Sequence, residues 1–154
     1  MKSTAVEDHD RFMGLALKEA HAAKRHGDVP IGAVIVRGGE VVAAAGNERE
    51  LRTDPTAHAE VLVLRAAAEA LGGWRLPDTV LYVTLEPCAM CAGAIVLARV
   101  PVVVFGTRDP KAGAVGSALE VLGHPSLNHH PEVIEGVMRE ECGQVLLAFF
   151  QSRR

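Results

Sequence analysis

The order in which helical and strand-like patterns alternate constrains the fold more than any other feature of this chain. Apolar residues at helical spacing over residues 8–26 predict a helix, and the runs IGAVIV and VVAAA, joined through Gly38 and Gly39, predict a β-hairpin. The later elements are a helix over residues 57–71, the strand TVLYVTL, a helix from Pro87 to about Ala98, the strands VPVVVFG and EVIEGV, and a final helix through ECGQVLLAFFQSRR. A hairpin followed by strands that alternate with helices predicts an α/β protein with three α/β/α layers around one mixed, five-stranded sheet.

Length and composition predict a single globular domain over residues 1–154, since 49% of the residues are hydrophobic and 23% are charged. The apolar runs are far shorter than the ~20 residues that a membrane-spanning helix requires. The start, MKSTAVEDHD, lacks the apolar stretch of a secretory signal, so we expect a cytoplasmic protein with reduced cysteines. The net charge of −3 means that a nucleic-acid partner would have to meet a local basic patch.

Two of the three cysteines lie in the stretch LEPCAMC. Pro87 suits the first position of a helix, which would place Cys88 and Cys91 on one face of its first turns. The start of a helix favours thiolate, the form that binds metals and also attacks disulfides. Taken alone, the stretch is compatible with a metal site and with a dithiol redox motif.

A second short pattern, HAE, places His58 and Glu60 near the start of another predicted helix, with Asp54 or Thr56 available to cap it. His58 could complete a Cys2His zinc site whose fourth position stays open for water, an arrangement typical of catalytic zinc. Glu60 could then transfer protons, provided that both side chains lie at an irregular helix start. An isolated HAE more often marks an interior histidine and a first-turn carboxylate than a metal site.

Between the last two strands, residues 107–131 predict a long loop with a short helical piece near residues 118–122. The third cysteine, Cys142, falls in the final helix, where we expect a small buried side chain rather than a zinc ligand.

The two short patterns together are more specific than either alone. HAE is followed by PCAMC, with Cys88 thirty positions after His58 (88 minus 58), and zinc-dependent nucleobase deaminases share the pair H-x-E and P-C-x-x-C. The chain resembles the cytidine deaminase-like superfamily and, within it, the bacterial tRNA-specific adenosine deaminases. The closer similarity covers nearly the whole chain and includes VPIGAVIV, GNERELRTDPTAHAE, LYVTLEPCAMCAGA, VVFGTRDPKAGAVGS and AFFQSRR.

That resemblance implies a zinc-dependent deaminase domain that acts on the wobble adenosine of a tRNA anticodon stem-loop, with one Zn²⁺ per subunit of a homodimer. His58, Cys88 and Cys91 would bind zinc, and Glu60 would be the catalytic proton carrier. The other implied contacts are to substrate: Asn47 and the backbone near Val29, Pro30 and Leu85 at the nucleoside, Asp109 and Lys111 near the flipped nucleotide, and Phe149, Phe150, Arg153 and Arg154 at the anticodon loop.

Two alternatives stay open on the sequence. A free nucleobase or nucleotide deaminase of the guanine or cytosine type would share both metal patterns, although RDPKAGAVGS and FFQSRR resemble the RNA-acting branch. A dithiol redox protein would need the two cysteines but not Glu60.

Overall fold

A computed structural model describes residues 6–153 and contains five strands and five helices within that part of the chain. In chain order these are α1 (Val6–Arg25), β1 (Gly32–Arg37), β2 (Glu40–Gly46), α2 (Arg49–Arg52), α3 (Ala59–Leu71), β3 (Thr79–Leu85), α4 (Ala89–Ala98), β4 (Val102–Thr107), β5 (Glu132–Glu135) and α5 (Arg139–Ser152). No helix within residues 6–153 is long and apolar enough to cross a bilayer.

The strands form one sheet in the order β2-β1-β3-β4-β5. β1 is antiparallel to both β2 and β3, whereas β3, β4 and β5 run parallel. The prediction of a mixed, five-stranded sheet is therefore confirmed. Because β3 and β4 are parallel, the segments that leave their carboxyl ends start at the same edge of the sheet, which is where the loops of α/β proteins commonly form a site.

Helices cover both faces of the sheet, which explains why residues 80–83 of β3 form a continuous apolar run. Leu81 and Val83 pack toward α3 and α4, while Val80 and Tyr82 pack toward α1 and α5. Successive side chains of a strand point to opposite faces, so a strand buried on both sides needs an unbroken apolar run. These two cores give the predicted α/β/α layering.

Two paired glycines let α1 lie directly on the hairpin. Gly32 of β1 is opposite Gly46 of β2. A Cβ atom at Gly32 would come within 1.9 Å of the Ala16 carbonyl oxygen, and one at Gly46 within 2.5 Å of the Glu19 carbonyl oxygen. Since these atoms belong to the backbone of α1, the helix could not approach the sheet this closely over any other residue.

The loop between β4 and β5 differs from the sequence prediction. The helical piece expected near residues 118–122 is absent; instead the backbone amides of Ala118 and Leu119 both donate to the Gly113 carbonyl, and Val115 forms an isolated bridge with Glu120. Because these amides donate to the Gly113 carbonyl, the segment forms tight turns instead of a helix. The local sequence pattern does not reveal these contacts.

The polar segment before α3 contains α2, a single helical turn that the sequence did not predict. The buried carboxylate of Asp28 accepts hydrogen bonds from the backbone amides of Glu50 and Leu51, at 2.8 and 3.2 Å. The acceptor comes from the segment that precedes β1, so the turn depends on a contact between distant parts of the chain.

Candidate metal centre and active site

The starts of two helices meet at the carboxyl end of β3. His58 is the residue immediately before α3 and Cys88 is the residue immediately before α4, each with an extended backbone. Cys91 lies in the first turn of α4 and is buried. The irregular helix start that the sequence required of His58 is therefore present, and it directs the imidazole toward the two sulfurs.

The α4 helix begins later than predicted, at Ala89 rather than at Pro87. The Pro87 carbonyl accepts a hydrogen bond from the Ala114 amide at 2.8 Å, and the backbone of Cys88 forms an isolated antiparallel β-bridge with that of Gly113. Both contacts keep the backbone of Pro87 and Cys88 extended, so the loop after β4 determines where the helix starts.

The three candidate ligand atoms have the spacing that a tetrahedral ion requires. The Nδ1 atom of His58 lies 3.7 Å from Cys88 Sγ and 3.5 Å from Cys91 Sγ, and all three atoms are within 4.8 Å of one another. With Zn–S and Zn–N bonds of about 2.3 and 2.05 Å, tetrahedral ligands are separated by roughly 3.5–3.8 Å. Within the described part of the chain this is the only cluster of this kind, and it fits zinc with one position left for another ligand.

The polar contacts among these side chains favour an anionic Cys88. Hydrogen bonds from Cys91 and then from His58 lower the pKa of Cys88 to about 3. The same contacts raise the pKa of His58, chiefly through its hydrogen bond to Cys88, and raise the pKa of Cys91, which shares its proton with Cys88. A thiolate is the form in which cysteine binds a metal.

Glu60 is the second residue of α3 and is only 4% exposed. Its pKa is raised to about 7, first because burial removes the carboxylate from water and further because negative charge on Cys88 lies nearby. A carboxyl group whose pKa is close to neutrality can both accept and return protons, as a general acid and base must.

Asn47 holds the start of α3, a role for which the sequence indicated Asp54 or Thr56. The Asn47 side-chain carbonyl accepts a hydrogen bond from the Ala59 amide at 2.8 Å. The Asp54 carboxylate instead accepts from the amide and the hydroxyl of Thr56, both at 2.8 Å, and so forms a local turn. Since Ala59 lies between His58 and Glu60, Asn47 positions both.

The backbone predicted to line the nucleoside pocket lies at this edge of the sheet. The Val29 carbonyl accepts from the Ile31 amide, and the Ile31 carbonyl accepts from the Asn47 amide. β1 and β3 are antiparallel and Ala33 pairs with Val83, so the end of β3 at Leu85 comes close to residues 29–31. Residues 29–31, Asn47 and Leu85 thus surround one region.

A second buried carboxylate, Glu86, was missed by the sequence analysis. Its side chain accepts hydrogen bonds from the amides of Asp109, Val115 and Ser117, at 3.0, 2.9 and 3.2 Å, and from the Ser117 hydroxyl at 2.5 Å. Hydrogen bonds from Ser117, Val115 and Asp109 lower the pKa of Glu86 although burial opposes them. Its partners lie more than 20 positions away, so the local sequence showed only a glutamate before a proline.

The other residues predicted to contact RNA lie in the loop after β4 and at the end of α5. Asp109 and Lys111 belong to the loop. The Asp109 carboxylate accepts from the amides of Lys111 and Ala112 and so forms a turn. Arg49, which the sequence analysis did not select, is an exposed cation in α2 whose charge lowers the pKa of His58, against the larger effect of Cys88.

At the end of α5, Phe149 is 5% exposed whereas Phe150 is 51% exposed. Arg153 stacks on the Phe149 ring, 4.4 Å from its centroid, and donates to the Gly27 carbonyl at 3.1 Å. Arg154 lies outside the described residues. As the structure stands, Phe150 offers the more accessible ring face.

A Cys2His cluster beside a buried glutamate, on this mixed sheet, defines the class of metal-dependent deaminases with the cytidine deaminase-like fold. The family model described as "MafB19-like deaminase" matches residues 7–154. A tRNA-specific adenosine deaminase of Bacillus subtilis is 53% identical over 143 residues, which cover 93% of this chain and 89% of that protein. One of Agrobacterium fabrum is 47% identical and covers 97% and 98% of the respective chains.

Solved structures agree with this assignment. A chain from a study of A-to-I editing by tRNA:A34 deaminases at the wobble position of transfer RNA has a TM-score of 0.86 and 48% identity, with 88% of this chain and 99% of that chain covered. A guanine deaminase from Nitrosomonas europaea, at 24% identity and a TM-score of 0.71, shares the fold over 91% and 83% of the two chains. This chain belongs to the MafB19-like deaminases and to the family of bacterial tRNA-specific adenosine deaminases.

Proposed function

We propose that this protein deaminates the wobble adenosine of a tRNA anticodon loop to inosine, with release of ammonia, in the cytoplasm. One domain over residues 1–154 would carry the activity, with one Zn²⁺ per subunit held by His58, Cys88 and Cys91. The observation that carries the proposal is the burial of Glu60, with its pKa near 7, beside three ligand atoms at tetrahedral spacing.

The reaction requires water to replace the amine at C6 of adenine. When bound, a zinc ion supplies a Lewis acid that activates water at neutral pH. Glu60 accepts a proton from the attacking water and gives it to N1 of the ring, then carries the remaining proton of the hydroxyl added at C6 to the amine, which leaves as ammonia. The buried position of Glu60 keeps these transfers away from solvent.

Recognition of the nucleotide requires a base that has left its stack, because the exocyclic amine is hidden in a stacked loop. Asn47 and the backbone of Val29, Pro30 and Leu85 would surround the flipped base. Further along the RNA we assign phosphate and base contacts to the remaining candidates: Asp109, Lys111, Phe149, Phe150, Arg153 and Arg154. Of the two rings, Phe150 would stack on a base without rearrangement of α5.

The direct test compares substrates with the zinc-loaded protein. We expect ammonia and inosine from an anticodon stem-loop with adenosine at the wobble position, and none from the same hairpin with guanosine there. Free guanine, cytosine and adenine form the second arm. Turnover of free guanine or cytosine without turnover of the hairpin would favour the free-base deaminase. A metal-free protein with a Cys88–Cys91 disulfide would favour the redox alternative.

We further propose that the active form is a homodimer that uses an apolar surface between α3 and α4. Trp74 and Leu97 on this surface are 61% and 69% exposed, and they border a shallow groove with Val61, Leu64, Ala68 and Ala94. Apolar patches of this kind are typical of contacts between subunits. Light scattering should show a dimer that Leu97→Glu converts to a monomer, whereas Leu147→Glu, on exposed α5, should leave it intact.

A further inference from the structure

We propose that Glu86 is a positioning residue that holds residues 108–117, the 108–117 loop, against the metal-binding segment so that the loop forms part of the RNA surface. This inference rests on the proposed function. Glu86 is the residue between β3 and Pro87, and its side chain is fully buried. Its carboxylate receives hydrogen bonds from Asp109, Val115 and Ser117, which span most of that loop.

The contacts come from both sides of the carboxylate. One oxygen, Oε1, accepts from the Asp109 amide and the Ser117 hydroxyl, while Oε2 accepts from the Val115 and Ser117 amides. All four partners are donors, so only a group with two acceptor oxygens satisfies them together. A glutamine would turn an NH2 group toward the partners of one oxygen and leave at least one buried backbone amide without an acceptor, because the Ser117 hydroxyl can reverse its hydrogen bond but an amide cannot.

The loop is also shaped to fit this carboxylate. A Cβ atom at Gly113 would lie 2.3–2.5 Å from the carboxylate atoms of Glu86, so the loop can close over Glu86 only with glycine at that position. Gly113 also forms a backbone β-bridge with Cys88, and the Ala114 amide donates a hydrogen bond to the Pro87 carbonyl. The loop and the metal-binding segment are thus joined through Glu86 and its immediate neighbours.

This arrangement explains how two candidate RNA contacts acquire a fixed position. The amide of Asp109 is held by Glu86, and the Asp109 carboxylate then fixes the turn that presents Lys111. Exposed charged residues contribute to binding when their backbone is ordered beforehand, because the cost of ordering is not incurred on association.

The test uses the full-length, zinc-loaded protein and the substitution Glu86→Gln. The matched control is Glu132→Gln, which neutralises an exposed carboxylate at the start of β5, outside the loop. Limited trypsin digestion followed by mass spectrometry measures cleavage after Lys111, and this readout does not depend on activity.

We expect cleavage after Lys111 to increase roughly tenfold or more in Glu86→Gln, because buried donors lose their acceptor and the loop opens more often. KM for the stem-loop should rise by a similar factor, with a smaller change in kcat and an unchanged zinc content. Glu132→Gln should resemble the wild type. If Glu86→Gln does not fold, Gly113→Ala displaces the same loop while the carboxylate remains, and it should show the same increase in cleavage.

Unchanged cleavage in both Glu86→Gln and Gly113→Ala would overturn the proposal. Loss of zinc together with kcat, at constant KM, would also overturn it, because Glu86 would then act on the metal site rather than on the loop. Faster cleavage combined with a wild-type protein that does not deaminate the hairpin would support the loop anchor and overturn only the proposed substrate.

Discussion

The side-chain carbonyl of Asn47 accepts a hydrogen bond from the amide of Ala59, the residue between the candidate metal ligand His58 and the carboxylate Glu60. The same asparagine follows β2 at the edge of the sheet where the nucleoside is expected. One side chain therefore joins the start of α3, with His58 and Glu60, to the proposed nucleoside site.

Substitutions of Asn47 can separate its role at the start of α3 from its proposed contact with the substrate. We expect Asn47→Ala to lower the free energy of unfolding by about 1 kcal/mol, because the first turn of α3 loses its acceptor. Asn47→Asp keeps an acceptor oxygen and should recover stability in urea denaturation, yet deaminate the hairpin poorly because it lacks the amide NH2 group. An aspartate variant with full activity would show that this NH2 group does not serve the substrate.

The role of Glu60 is tested by removal of its charge alone. Glu60→Gln should retain one equivalent of zinc and its thermal stability while deamination falls by at least about 10²-fold, since an amide cannot accept the proton. Glu69→Gln, on the exposed side of the same helix, is the matched control and should keep normal activity. Glu60→Ala should behave like Glu60→Gln; full activity in either variant would remove Glu60 from the mechanism.

Thiol reactivity reports on the metal site. In the zinc-loaded protein all three cysteines should resist alkylation at pH 8, because two bind the ion and burial raises the pKa of Cys142 to about 12. A chelator should make Cys88 reactive because its pKa is lowered to about 3, while Cys91 should react more slowly because it is buried and its pKa is raised. Modified sites are assigned by mass spectrometry. Rapid alkylation of Cys88 in the zinc-loaded protein would contradict the proposed ligand set.

The contact between α1 and the hairpin predicts that glycine-to-alanine substitutions change the stability of the fold in opposite directions at two positions. Gly32→Ala should destabilise the fold by about 3 kcal/mol or more, because its Cβ would overlap the backbone of α1. Gly14→Ala, in the middle of α1 with open space around it, should stabilise it by about 0.5–1 kcal/mol. Both values come from urea unfolding curves, and a mild effect at Gly32 would show that α1 can move away from the sheet.

The sequence predicted well those elements whose signals are local. The largely apolar run of residues 79–85 predicted β3 at its observed bounds, and Gly38 and Gly39 predicted the turn of the hairpin, where both adopt positive φ angles of 60 and 79°. His58, Cys88 and Cys91 also lie together, as the pair of motifs predicted.

What the sequence did not predict depends on contacts between distant residues. The acceptor for the start of α3 comes from Asn47 rather than from a neighbouring residue, and the start of α4 is set by Gly113 and Ala114. Glu86 gives no local signal, since its partners are 23, 29 and 31 positions away. Such long-range hydrogen bonds override the propensities on which pattern analysis relies.

The separation of the ligands along the chain has a consequence for the lifetime of the protein. His58 and Cys91 are 33 positions apart, with α3, β3 and the first turn of α4 between them. An ion held by both is a removable crosslink between two helices, and by chain entropy a crosslink of this span is worth roughly 3–4 kcal/mol. If the proposed ligands hold zinc, removal of the ion should therefore lower the free energy of unfolding by about this amount and make the protein less resistant to heat and to proteases.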